Sequence, residues 1–199
     1  MLPLEQFLAL LVFSFVTSAT PGPNNMMLLA SGVNFGFVRT IPHMLGIGLG
    51  FTLMVLLVGL GIGQVFALLP WLYGVLKVLG FAYMLWLAWK IANAGTIGEG
   101  REASRPMTFL AAAAFQWVNP KAWAMAISAV ATYTLPDDYV FSVVVVALTF
   151  GLVNLPTVST WALFGVWLRR FLSDPRAVRW FNWTMAVLLV ASLLPVLWT

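Results

Sequence analysis

The chain has 199 residues, 62% of them hydrophobic and only 8% charged, with a formal net charge of +4. A soluble domain carries about 25% charged residues, so a globule of this composition could not cover itself with polar groups. Mean hydropathy of +0.97 points the same way, and most of the surface must face lipid. The sequence holds no cysteine, which excludes disulfides, thiolate metal sites and dithiol electron carriers.

The apolar runs predict six membrane-spanning helices, each near the 20 residues needed to cross a bilayer. They cover about 4–32, 40–66, 70–93, 107–134, 139–168 and 177–198. Transmembrane strands are excluded because they alternate polar and apolar over about 10 residues, whereas these runs are apolar on all sides. A signal peptide needs a basic leader. The first charge here is Glu5 and the first basic residue is Arg39, so the first run is expected to be retained.

Basic residues order the topology. Arg39 lies between runs one and two, Lys90, Arg101 and Arg105 between three and four, and Arg169, Arg170, Arg176 and Arg179 between five and six. The opposite side carries Glu5, Asp137 and Asp138. The basic side is therefore expected to be cytoplasmic, with both termini outside. The positive charge reads as a topology signal, not a nucleic-acid patch. Trp71, Tyr73, Trp89, Tyr133, Tyr139, Trp167, Trp180 and Trp198 fall near run ends, as interface anchors do.

A polar stretch over 94–106 divides the chain into two three-helix repeats, 1–93 and 107–199, and reads as a cytoplasmic linker. Three is odd, so the second copy inserts inverted. The halves rhyme: Thr20-Pro21-Gly22-Pro23-Asn24-Asn25 interrupts run one, Val118-Asn119-Pro120-Lys121 interrupts run four, and Lys77 and Arg179 open runs three and six. Inverted repeats with discontinuous helices in matching positions mark secondary transporters, and the breaks point to the substrate site.

Proline removes a backbone donor and clashes with the preceding turn, so Pro21-Gly22-Pro23 should break its helix. Carbonyls before the break, such as those of Ser18 and Ala19, lose partners, and the helix restarting at Pro23 offers the amides of Asn24, Asn25 and Met26. Such groups must face protein or a wet cavity. A helix N-terminus suits a carboxylate, and free carbonyls suit an ammonium. A zwitterionic amino acid is the natural ligand class. Pro42, Pro156 and Pro195, standing alone, read as packing kinks.

Ionisable residues inside a span are functional candidates. Lys121 lies deep in run four, about 21 Å in at 1.5 Å per residue. It could hold a substrate carboxylate, or it could serve as a structural partner for carbonyls of run one. Lys77 is shallower and can snorkel. His43 reads as a hydrogen-bonded residue near the cytoplasmic face, with a proton role as the alternative. Asn154 could line the pathway; it, Asn182, Gln116, Gln64, Thr149, Thr157, Ser159 and Thr160 otherwise read as interhelical polar contacts. Gly46 with Gly50, and Gly59 with Gly63, read as close helix packing, and they permit a homodimer. No carboxylate lies inside a span, so proton coupling would fall to Glu5, His43, Lys121 or the substrate. No cofactor or metal is expected. One histidine and no intramembrane acid argue against a membrane enzyme.

The motifs together resemble the LysE/RhtB family of amino-acid exporters. Thr20-Pro21-Gly22-Pro23-Asn24-Asn25, Gly80-Phe81-Ala82-Tyr83-Met84-Leu85-Trp86-Leu87-Ala88-Trp89-Lys90, Phe115-Gln116-Trp117-Val118-Asn119-Pro120-Lys121 and Trp161-Ala162-Leu163-Phe164-Gly165 carry the resemblance along the whole chain. It implies a bacterial inner-membrane exporter of amino acids or their derivatives, driven by a proton or charge gradient. The double Asn and the Leu-Ala-Trp-Lys ending look most like the cysteine/O-acetylserine branch. That branch implies small neutral substrates such as cysteine, O-acetylserine or homoserine. Export of other metabolites, or a passive channel or assembly subunit, is the alternative. The expected substrate site comprises Thr20, Pro21, Gly22, Pro23, Asn24, Asn25, Asn119, Pro120, Lys121 and Asn154.

Overall fold

The computed structural model describes residues 2–62, 68–69, 71–94, 105–172 and 174–192. Gly63, Gln64, Arg101, Pro195, Trp198, the side chain of Tyr73 and most of the expected linker lie outside the described residues. All regular structure among the described residues is helical. We label the helices α1 (Leu4–Ala19), α2 (Pro23–Phe35), α3 (Phe37–Leu57), α4 (Trp71–Ala92), α5 (Phe109–Phe115), α6 (Pro120–Tyr133), α7 (Tyr139–Arg169) and α8 (Pro175–Ala191).

Three of these segments, Phe37–Ile62, Gly74–Ala92 and Pro136–Arg169, are each long and apolar enough to cross a membrane. The pair α1 and α2, bent by 56° at its break, supplies a fourth if taken as one span. The described parts of the other two expected runs, 107–134 and 177–198, fall on α5 with α6 and on α8. Pro23 and Pro120 occupy first-turn positions of α2 and α6, where the missing amide costs nothing. Pro42 and Pro156 sit inside continuous helices, as the lone prolines were expected to.

The first boundary differs from expectation. Helix α2 runs to Phe35 and α3 begins at Phe37, so one residue, Gly36, makes the turn. Its φ of +80° is a left-handed conformation that glycine adopts without a Cβ penalty. The polar Asn34 just before it is satisfied by donating to the Ala30 carbonyl and to Asn182 Oδ1 on α8, both at 2.8 Å.

Burial is inverted relative to a soluble protein. Along α7, Val140, Val144, Leu148 and Leu152 form an exposed stripe with period four, Leu152 being 77% exposed. Meanwhile Ser14, Ser18, Asn25, Gln116, Asn119, Asn154 and Asn182 are buried. Apolar residues outside and satisfied polar residues inside are what a lipid solvent selects. Trp71, Trp89, Tyr139, Trp167 and Trp180 are exposed, in keeping with interface anchors.

Small residues set the closest crossings. A Cβ on Gly165 would lie 2.3 Å from the Leu29 carbonyl, and one on Gly32 would lie 2.2 Å from that of Ala162, so α2 and α7 touch backbone to backbone. Gly46 and Gly50 press α3 onto Phe109 and Ala113 of α5 in the same way. That pair works as close packing inside the chain, as expected. Thr157, Ser159 and Thr160 bond to carbonyls of their own helix, not to a neighbouring one as expected.

Candidate functional site

The break between α1 and α2 lies beside the break between α5 and α6. At the first, Gly22 is extended and α2 starts without a side-chain cap. At the second, a 3-10 turn over Gln116–Val118 leads into extended Asn119. The Asn119 side chain caps α6 by accepting from the Lys121 amide at 3.1 Å. The helix N-termini, with their positive partial charge, thus border the same small cavity.

Side chains from across the chain collect the carbonyls freed by the break. Asn25, 3% exposed, donates its one amide nitrogen to both Ser18 O and Thr20 O at 2.9 Å. Lys121 Nζ donates to Thr20 O at 2.5 Å. Of the two roles open to Lys121 on sequence, the structure places it as a carbonyl partner of the first break. Its aliphatic stem also passes over Gly22, where an added Cβ would lie 2.8 Å from Lys121 Cδ. Glycine at that position is what lets the lysine reach across.

Asn24 and Gln116 form a reciprocal amide pair. Asn24 Nδ2 donates to Gln116 Oε1 at 2.8 Å, and Gln116 Nε2 donates back to Asn24 Oδ1 at 3.2 Å and also to Ala112 O at 2.9 Å. The pair joins residues 92 positions apart, one from each half of the chain. On the far wall, Asn154 Nδ2 donates to Ser18 Oγ at 3.0 Å, while its buried Oδ1 has no hydrogen-bond partner. An orphaned buried acceptor is costly and uncommon.

Of the ten expected site residues, Gly22, Asn24, Asn25, Asn119, Lys121 and Asn154 line this cavity. Thr20 contributes through its carbonyl; Pro21, Pro23 and Pro120 shape the breaks without lining the space. Sequence reasoning missed Gln116 as a site residue, since a glutamine in a helix reads as an ordinary polar contact. It also placed too many free amides at the start of α2: that of Met26 donates to Gly22 O at 3.0 Å, closing the first helical turn. His43 was expected to be hydrogen-bonded near an interface. It is instead 2% exposed, and neither ring nitrogen has a partner.

The cavity measures about 20 Å³, room for about one water by the 10–15 Å³ a water requires. No Asp or Glu lines it. The groups that do can receive a carboxylate, at Lys121 and the helix N-termini, and an ammonium, at Asn154 Oδ1 and the Ser18 and Thr20 carbonyls. The Lys121–Thr20 bond and the Asn24–Gln116 pair hold the walls together around a volume too small for an amino acid. No group of three or more metal-ligating side chains occurs among the described residues.

A family model described as LysE type translocator matches residues 15–192. The chain belongs to this family. It is 35% identical over 180 residues to the cysteine/O-acetylserine efflux protein of Escherichia coli (strain K12), covering 89% of this chain and 90% of that one. The proteins of the same description from Shigella sonnei (strain Ss046) and Shigella flexneri match equally well over the same shares. No solved structure matches. The LysE-type translocator match takes in both breaks, the amide pair and Asn154, and it agrees with the exporter resemblance read from the motifs. Its apolar helices make this a membrane protein of a translocating family, and the family's business is transport, not catalysis.

Proposed function

We propose that the chain is a secondary active exporter of small neutral amino acids or their derivatives, of the cysteine, O-acetylserine and homoserine kind, coupled to a proton gradient. The observation that carries this reading is the cavity at the α1–α2 break. Groups for a carboxylate and groups for an ammonium converge there, and the lining is free of acid. A dibasic substrate would need acidic partners in a dry site, because an unpaired charge is expensive to bury. The names of the matched relatives support the direction of transport and the substrate class.

In this proposal six spans form two inverted three-helix repeats, 1–93 and 107–199, joined by a cytoplasmic linker, in the inner membrane with both termini outside. Packing supports the symmetry at some pairs, α1 lying on α7 as α5 lies on α3, while α3 pairs with α7 and α4 with α8; α2 departs from it by packing far more closely on α7 than α6 does on α3. Substrate binding proceeds by exchange. Its carboxylate draws Lys121 Nζ from Thr20 O, and its ammonium takes the released carbonyl and Asn154 Oδ1. Parting of the Asn24–Gln116 pair then opens one side of the site while the other stays packed. Glu5, His43, Lys121 or the substrate itself carries the coupled proton.

Reconstitution tests this. Purified protein in liposomes is given radiolabelled O-acetyl-L-serine or L-cysteine with and without an imposed pH gradient. Saturable movement that the gradient accelerates is expected. Movement of neither, alongside movement of another amino acid, would reject the substrate and keep the carrier.

A further inference from the structure

A second cavity lies at the end of the bundle where α2 turns into α3 and α4 ends opposite the start of α5. It measures about 240 Å³, twelve times the 20 Å³ at the break (240/20). One wall is aromatic. Tyr83 and Trp86 of α4 stack with ring centroids 5.4 Å apart. Lys90 Nζ stands 5.1 Å over the Trp86 ring, and Arg105 joins it on the same cavity. Asn34 and His43 line the other wall. Among the described residues no Asp or Glu lines the cavity. His43 adds an independent sign: a buried imidazole with both nitrogens unpartnered is costly in a packed interior.

This cavity lies further along the same two helices than the central site. Met27 and Ala30 line it on α2, one and two turns beyond Asn24; Ala111 lines it on α5, five residues before Gln116. The Asn24–Gln116 pair lines the first cavity and not the second, and the two share no lining residue.

We infer that this vestibule is a second binding site, taking the carboxylate of a small amphipathic solute at Lys90 and Arg105 and its apolar part against Trp86 and Tyr83. Two cations beside an aromatic face match a carboxylate joined to a short carbon chain. The position makes it the station at which substrate waits before the amide pair opens. That role rests on the transport reading above; the binding does not.

Two measurements separate them. Uptake of O-acetyl-L-serine and L-cysteine into everted membrane vesicles is measured for wild type and for Lys90→Gln/Arg105→Gln. The double variant is expected to raise KM about tenfold while the maximal rate stays within about twofold, because the central site is untouched. Equilibrium binding of the same two solutes is measured on purified protein in nanodiscs of neutral lipid, with and without phosphatidylglycerol. Wild type is expected to bind, and Trp86→Ala and the double variant to bind about tenfold more weakly. Transport with an unchanged KM in the double variant would overturn the vestibule and leave the exporter. Binding lost in the double variant, with no transport by wild type, would overturn the exporter and leave the vestibule. Binding abolished by phosphatidylglycerol alone would assign the cavity to a lipid headgroup and overturn the proposal.

Discussion

The reciprocal amide pair between Asn24 and Gln116 lends itself to a double-mutant cycle. Replacing Asn24 by Ala removes two hydrogen bonds at once, of 2.8 and 3.2 Å. Gln116 is fully buried but keeps its Nε2 bond to Ala112 O, so only its Oε1 is stranded. A net neutral hydrogen bond is worth about 0.5–1.5 kcal/mol and a stranded buried acceptor costs about 1–3 kcal/mol. Asn24→Ala should thus destabilise the closed state by about 1–3 kcal/mol, and Gln116→Ala by a similar amount. Since both remove the same pair, the double variant should resemble either single one, with a coupling energy near 1–3 kcal/mol. Thermal unfolding in detergent reads stability; initial uptake rates in liposomes read transport, where about 1.4 kcal/mol is tenfold. Transport should fall in all three variants to a similar level, with the protein still present in the membrane. Additive losses, or full activity in Asn24→Ala, would refute the pair as the device that closes the site.

Other perturbations probe the rest of the break. Pro21→Ala should abolish transport without loss from the membrane, because a residue that permits helix continuation erodes the break; membrane quantity and uptake are measured together. Lys121→Ala should impair uptake far more than Lys77→Ala, since Lys121 grips Thr20 O while Lys77 lines neither cavity; the reverse order would contradict the assignment. Gly165→Ala should lower stability by about 1–3 kcal/mol, the usual result of overpacking, because its Cβ would meet the Leu29 carbonyl at 2.3 Å. Unfolding midpoints in detergent check it.

The breaks were legible because proline acts through the backbone and here stands beside other breakers: Pro21-Gly22-Pro23 and Asn119-Pro120 interrupt their helices, where the lone Pro42 and Pro156 do not. The pairing of the freed groups was less legible. Lys121 stood out for its charge, but nothing in one dimension says that it reaches Thr20 O across 101 positions. Gln116 and Ser18 looked ordinary because their role comes from their partners, Asn24 and Asn154, on other helices. The gap left between the first two runs, 33–39, closes to the single residue Gly36, because its left-handed φ is a property of the packed turn and not of composition. His43 was expected to find a partner because most buried imidazoles do; its nitrogens without one became visible only with the packing around them.

Solute counterflow tests the account at its centre. Liposomes holding the protein are loaded with unlabelled O-acetyl-L-serine and diluted into a trace of the labelled compound. A carrier whose central site is exposed to one side at a time should accumulate label transiently above equilibrium, and Asn25→Ala, which releases the Ser18 carbonyl and leaves the Thr20 carbonyl to Lys121, should abolish the overshoot. A monotonic rise to equilibrium in wild type would mean an open path through the protein, and would contradict the site at the helix break as the place where substrate is held and handed across.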